Sequence, residues 1–499
     1  VNESDYLAHD ALGLAGLVHA GKIAPRELVE AAIRRIERLN PRLNAVVHTM
    51  YEQARREADA SAGAGVFGGV PFLLKDLLAW YAGEPITNGS RLFRGFVAPG
   101  DSETVKRFRA TGAIVVGKTN TPEFGLTPFC ESELLGIARN PWDTTRTAGG
   151  SSGGSGAAVA AGFVPIASGG DGGGSLRIPA SCNGVFAIKP TRGRVPTGPV
   201  QGELWHGATA EHVLSRSVRD SAAMLDAIAG DDPGSPYTAI PPARPFLDEL
   251  ARAPRALRVG VTTHPFLGRE VHPECVAAVD DARALLESLG HQTIDVALPI
   301  DREAFNRSFV TMICAEVAAD LRDAQRLLGR TPRRTELEFT TWGLAVLGGA
   351  LRGGDVSHTL RELQRAARKI GQFFTTLDVL LTPTVASPPF IIGALQPTAL
   401  ERSLLTALGV LRAGRVMKAL GVLEQMADKI FDWIPFTPLF NVTGQPAMSI
   451  PIHWTDGNLP VGVQVVGRYG DEATLFGLAG QLEAARPWRD RWPPLAAPQ

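Results

Sequence analysis

The sequence predicts an α/β fold, a mixed central β-sheet covered by helices on both faces, and three observations carry that prediction. Short apolar or β-branched runs alternate with helix-like segments along the whole chain, the order in which strands and their covering helices are laid down. The run GVPFLL is wholly apolar, as in a strand buried within a sheet. The length of 499 residues suggests two to four ordinary domains, but hydrophobic (44%) and charged (20%) residues spread evenly with no clear linker and no apparent internal repeat fit one large globular body over residues 1–499 equally well.

The elements follow in order. Asp10 to His19 and Ala24 to Leu39 read as helices, the second opened by Pro25 in its first turn. Gly69 to Leu74 is a strand that ends at Lys75. Glu103 to Thr111 is helical, and Ala113 to Val116 is a short β-branched strand. Helices follow at Ala157 to Ala161, Val218 to Ala229 and Pro273 to Leu289. Strands recur at Leu257 to Val261, Val379 to Leu381, Met448 to Pro451 and Val461 to Val466.

Composition narrows the partners. A net charge of −1 and a pI near 6.9 lack the clustered basic excess that neutralises phosphates, so no nucleic acid is expected. Cys130, Cys182, Cys275 and Cys314 form no CxxC pair, which argues against a zinc site and against a disulfide framework. There is no close His/carboxylate cluster, and neither a metal nor a cofactor is expected. The N-terminal VNESDYLAHDALG is acidic where a signal peptide is basic, so a cytoplasmic enzyme is expected. No apolar run reaches the roughly 18 residues of a membrane span. Leu400 to Phe431 carries apolar residues at helical spacing, which serves core packing or a substrate wall better than a membrane face.

The most informative segment is Gly149 to Ala180, GGSSGGSGAAVAAGFVPIASGGDGGGSLRIPA. Its glycines allow several N–H groups to converge on one spot, and its serines supply hydroxyls at the end of that concavity, an arrangement suited to nucleophilic catalysis. A flexible linker has no use for the apolar run Ala157 to Ala161, nor for Asp171 and Arg177 on either side of Ser175. Two other glycine patterns are accidental. GAIVVGKT (Gly112 to Thr119) spells a phosphate loop, but Ala-Ile-Val-Val makes a strand and Pro122 blocks the helix a phosphate would sit on. Gly63 to Gly68 has the dinucleotide spacing with helix and strand in the wrong order.

Gly149 to Gly153 also fits the nucleophile elbow of serine esterases, yet a polar loop, NPWDTTRTA, precedes it where a strand is needed. His206, His212, His264, His272, His291, His358 and His453 follow, none in a context that marks a base. Lys75 is the better candidate. It lies inside the apolar run PFLLKDLL, where lost hydration disfavours the ammonium and brings the neutral amine within reach. Taken alone, Lys75 also fits a strand-end salt bridge with Asp76.

GGSSGGSGAAVAAG, GGDGGGSLRIPA and IKPTRGRVP together resemble the signature of the amidase signature family. The likeness continues in GVPFLLKDL, GKTNTPEFG, ARNPWD, SRSVRDSAAMLDAIAG, DVLLTPT and PFTPLFNVTGQPAMSIPI, and covers nearly the whole chain. The resemblance implies a single amidase-signature domain: N-terminal helices over 1–65, a catalytic core over 66–230, a peripheral helical insert over 265–375 and 395–432, and C-terminal strands over 440–470. It implies Ser175 as nucleophile, Ser151 as a bridging serine on a cis peptide after Gly150, and Lys75 as base. It further implies an oxyanion hole from the N–H groups of Gly172, Gly173 and Gly174, with Ser152, Asp171 and Arg177 in support.

The implied partner is a small-molecule amide or carbamate, handled by a monomer or homodimer and resembling the substrates of cyclic-amide hydrolases and amidase-type urethanases. Apolar segments at Thr127 to Leu135, Gly202 to His206 and after Leu400 are expected to line the pocket, with Cys314 a core residue that could face it. Gly172 departs from the family pattern, which places a side chain there, and its lack of one is expected to widen the room beside the nucleophile. A serine esterase, an amidotransferase A-type subunit and a silent amide-binding protein are the alternatives.

Overall fold

The computed structural model describes residues 1–252, 254–396 and 422–497. Thirteen strands occur among them: β1 (Val46–Thr49), β2 (Pro71–Lys75), β3 (Ile114–Thr119), β4 (Glu131–Ser132), β5 (Gly136–Ile137), β6 (Ile166–Asp171), β7 (Phe186–Lys189), β8 (Ala210–Ser215), β9 (Arg258–Val261), β10 (Gln292–Asp295), β11 (Val379–Pro383), β12 (Ala447–Trp454) and β13 (Pro460–Gly467). Eleven form one mixed sheet in the order β1-β3-β2-β6-β8-β7-β12-β13-β11-β9-β10, while β4 and β5 make a small separate hairpin. β2 runs parallel to both β3 and β6, whereas β6, β8, β7, β12 and β13 are successively antiparallel. Every residue of β2, β3, β6, β7, β8, β11 and β13 is buried, so helices cover both faces.

The predicted elements are found with shifted ends. The first long helix runs Pro25–Leu43, past the predicted stop at Leu39 and through Pro41, and ends where Asn44 turns left-handed at φ 48°. The helix after the first serine cluster begins at Gly153, four residues before its apolar run. Ser217 Oγ caps the helix Val218–Ile228 by accepting the Asp220 N–H at 3.3 Å, a contribution of about 1 kcal/mol. Gly117, Lys118 and Thr119, the end of the false phosphate loop, lie on β3.

Two strands essential to the site were not predicted. β6 reads IASGGD, poor in β propensity, and forms because β2 and β8 flank it and glycine leaves room that is already taken. A Cβ on Gly169 would lie 2.6 Å from Leu176 Cδ2 and 2.9 Å from Ser152 Oγ. β8 reads AEHVLS, and its registration sets Glu211 opposite Gly170 and Ala210 opposite Asp171. The ends of β2 and β6, third and fourth in the eleven-strand order, thus bring Lys75 and Asp171 to one edge. A second apolar cluster, including Phe266, Phe305, Phe309, Phe436 and Phe440, lies partly under the helix Arg302–Leu328. Among the described residues no helix is long and apolar enough to cross a membrane. Residues 400–421 of the segment Leu400 to Phe431 lie outside the described residues.

Candidate active site

Lys75 ends β2 with its side chain 2% exposed. Its backbone N–H donates to Ser168 Oγ on β6 at 2.8 Å, and its Nζ donates to Ser151 Oγ at 2.8 Å. Burial lowers its pKa to about 8, against the opposite pull of Cys130, Asp171 and Glu211. Asp76 does not pair with it. That carboxylate accepts the Thr87 N–H and hydroxyl, with Lys118 Nζ 4.0 Å away, so the strand-end salt bridge forms with a different lysine.

Ser151 follows a cis peptide from Gly150, in a loop where a Cβ on Gly150 would lie 2.5 Å from the Phe129 backbone nitrogen. Only glycine permits that approach. Ser152 Oγ donates to the Gly170 carbonyl at 3.2 Å, and the Ser152 N–H donates to the Ser175 carbonyl at 3.3 Å. These two bonds tie the two serine clusters together, and Lys75 meets the first of them through Ser151. Ser155, whose Oγ donates to the Ser168 carbonyl at 2.7 Å, extends the same clamp.

Beneath Ser175 lies an ion pair that is entirely buried. Arg177 donates from Nε to Asp171 Oδ2 at 2.9 Å and from Nη2 to Oδ1 at 2.8 Å. Burial pushes the Asp171 carboxyl up, but Arg177 and the Asn441 amide more than offset it and hold it well below the usual carboxylate range. Arg177 also donates to the carbonyl of Thr437, to Gln464 Oε1 and to Asn441 Oδ1, so all of its reach is used. Asn441 Nδ2 donates to the Asp171 and Ala208 carbonyls, and Thr437 Oγ1 donates to the Gly173 carbonyl at 2.7 Å. Thr437, Asn441 and Gln464 were not foreseen as site residues. Thr437 and Asn441 stand within PFTPLFNVTGQPA, which gave a likeness without a role.

Two expectations about the glycine turn are corrected. The Gly174 N–H donates to Asp171 Oδ1 at 2.7 Å, closing the turn, and is no longer available to an oxyanion. Gly174 is the position that demands glycine: φ is +125°, and a Cβ there would lie 2.3 Å from Thr437 Oγ1. The N–H groups of Gly172, Gly173 and Ser175 donate to no group among the described residues. The second correction concerns Gly172, which leaves no empty room. A Cβ there would lie 2.8 Å from Trp205 Cε3 and Cζ3, so the indole occupies the space.

Of the expected pocket segments, Gly202 to His206 reaches the turn through Trp205, while Thr127 to Leu135 supports the serine loop, with Cys130 Sγ donating to the Ser151 carbonyl at 3.3 Å. Cys314 is fully buried beside Leu347. Four of the histidines are occupied elsewhere: His206 with Glu316, His212 with Ser221, His291 with Gln481 and His453 with Asp281. Burial lowers the His212 pKa to about 3, which keeps that ring neutral. The arrangement offers a lysine whose ammonium form is disfavoured by burial set on a serine hydroxyl, a second serine cluster tied to the first, and turn N–H groups that donate to no described residue.

The family profile described as Amidase matches residues 27–476. The chain is 39% identical over 501 residues to the 6-aminohexanoate-cyclic-dimer hydrolase of Paenarthrobacter ureafaciens, covering 99% of this chain and 98% of that protein. A solved structure of 6-aminohexanoate cyclic dimer hydrolase complexed with substrate matches with a TM-score of 0.89 at 38% identity, over 98% of this chain and 99% of the other. A bacterial aryl acylamidase of the amidase signature enzymes matches with a TM-score of 0.85 at 27% identity, over 98% and 99% of the two chains.

Proposed function

This chain belongs to the amidase signature family of amide hydrolases, and from that premise we propose that it cleaves apolar linear or cyclic amides, and carbamates, through a Ser175 acyl-enzyme. Neutral Lys75 takes a proton from Ser151 as Ser151 takes one from Ser175, whose oxygen attacks the carbonyl carbon. The developing oxyanion is met by the N–H groups of Gly172, Gly173 and Ser175, each contributing roughly 3 kcal/mol when well aligned. Ser151 returns a proton to the departing amine, and water then releases the acid and regenerates Ser175.

The observation that carries this reading is the 2.8 Å contact from Lys75 Nζ to Ser151 Oγ, made by a lysine whose burial favours the neutral amine. Asp171, Arg177 and Ser152 hold the two serine turns in register. The apolar substrate class is supported by the rings beside the turn, Trp205 and Phe309, and by the two relatives named for amides. The test is hydrolysis of a panel of a chromogenic anilide, a cyclic amide, an aryl carbamate and the matching ester. Amide cleavage that Ser175→Ala reduces by about 10⁴-fold or more, in folded protein, supports the proposal. Ester cleavage alone would favour a serine esterase, and retention of near-normal turnover by Ser175→Ala would overturn the nucleophile.

A further inference from the structure

Gly172 and Gly173, two of the turn residues whose N–H groups donate to no described residue, each have an aromatic ring beside the position a side chain would take. Trp205 Cε3 and Cζ3 stand 2.8 Å from a Cβ position on Gly172, and Phe309 Cζ stands 3.7 Å from one on Gly173. The phenyl leaves a β-carbon ordinary contact; the indole leaves none. The backbone at Gly172 lies outside the left-handed region, so space alone excludes a side chain there.

The loop that carries Trp205 is held through its backbone and its neighbours. Trp205 and His206 both adopt φ +50°, a conformation non-glycine residues rarely accept. The turn closes through Gly207 N–H to the Leu204 carbonyl and Ala208 N–H to the Trp205 carbonyl. His206 Nε2 meets Glu316 Oε1 at 3.1 Å on the helix Arg302–Leu328, and Tyr237 donates to Glu203 Oε2 at 2.5 Å. Arg192 Nε donates to the Gly207 carbonyl at 2.7 Å. The amide of Asn441 donates both to the Ala208 carbonyl and to Asp171, tying the tryptophan loop to the framework that shapes the Ser175 turn.

We propose that Trp205 is a specificity-determining residue: it supplies from another loop the bulk absent at position 172, and it narrows the site to acyl groups unbranched next to the carbonyl. This rests on the amide-hydrolase reading above. In the acyl-enzyme the carbonyl carbon is bonded to Ser175 Oγ, to the oxygen held by the turn, and to the acyl α-carbon. A wall beside the oxygen's donors is therefore met by whatever branches from that α-carbon.

The test is kcat/KM for 4-nitroanilides of acetic, hexanoic and pivalic acid, measured with the wild type, Trp205→Ala, Trp205→Phe, Gly172→Thr and the double variant Gly172→Thr/Trp205→Ala, with melting temperature read in parallel. Trp205→Ala should raise the pivaloyl-to-acetyl ratio at least tenfold, with Trp205→Phe intermediate. Gly172→Thr alone should lower the melting temperature and activity on all three anilides. The double variant should recover both and bring the ratio back towards wild type, because threonine refills the space the indole left. Ratios within threefold of wild type in both tryptophan variants would overturn the proposal, as would a double variant as damaged as the two single changes combined. A wild type that cleaves no anilide, amide or carbamate would instead sink the amidase reading itself, and the specificity assignment with it.

Discussion

Lys75 accepts a proton only as the free amine, and its burial places the loss of the ammonium at about pH 8. In the proposed reaction, kcat/KM for an anilide should therefore rise about tenfold per pH unit on the acid side and level off above roughly pH 8. A pH–rate profile reads this directly. An inflection near 6.5 would instead indicate a histidine base. Lys75→Ala should abolish amide cleavage, while changing any one histidine leaves it in place. Ser151 tests the relay from the other side. Amines leave only when protonated, so Ser151→Ala should slow anilide hydrolysis at least about tenfold more than hydrolysis of an activated ester, compared on the same preparation. Equal losses on both substrates would argue that Ser151 moves no proton.

The element that holds this chemistry is the turn between β6 and the short helix Arg177–Asn183. Its shape depends on a carboxylate, that of Asp171, which is 0% exposed and whose two oxygens are both closed by Arg177, its ion-pair partner among the described residues. Removing the arginine leaves a buried charge uncompensated. Arg177→Met should thus cost about 3 to 5 kcal/mol of stability in a denaturant titration. The reciprocal change Asp171→Asn, which keeps an acceptor for the Gly174 N–H but weakens the pair, should perturb activity through the turn as well. Full stability in Arg177→Met would mean the pair is dispensable and the turn is shaped by Asn441 and Thr437 alone.

Across the whole molecule one sheet carries the site on interior strands and becomes more exposed towards its ends. β6, β8, β7, β12 and β13 have partners on both sides, whereas β10 at one edge has the exposure of a solvent-facing strand and β1 at the other is buried at Val46 alone. Amide hydrogen exchange followed by mass spectrometry should show slowest exchange in the central strands and fast exchange in β10; uniform protection to both edges would contradict this ordering. Sequence alone determined the α/β class, the most apolar strands and the longer helices, and it singled out Lys75 and the two serine clusters as candidates, because periodicity, turn chemistry and the serine-glycine pattern are local. It missed β6 and β8, whose polar and glycine-rich residues become strands only when neighbours satisfy their backbone groups. It also took Gly172 for open space and Gly174 for an oxyanion donor. Those two points were decided by Trp205, 33 positions onward, and by the Asp171 carboxylate, because the free volume beside a glycine and the partner of its N–H depend on what the tertiary fold brings to it.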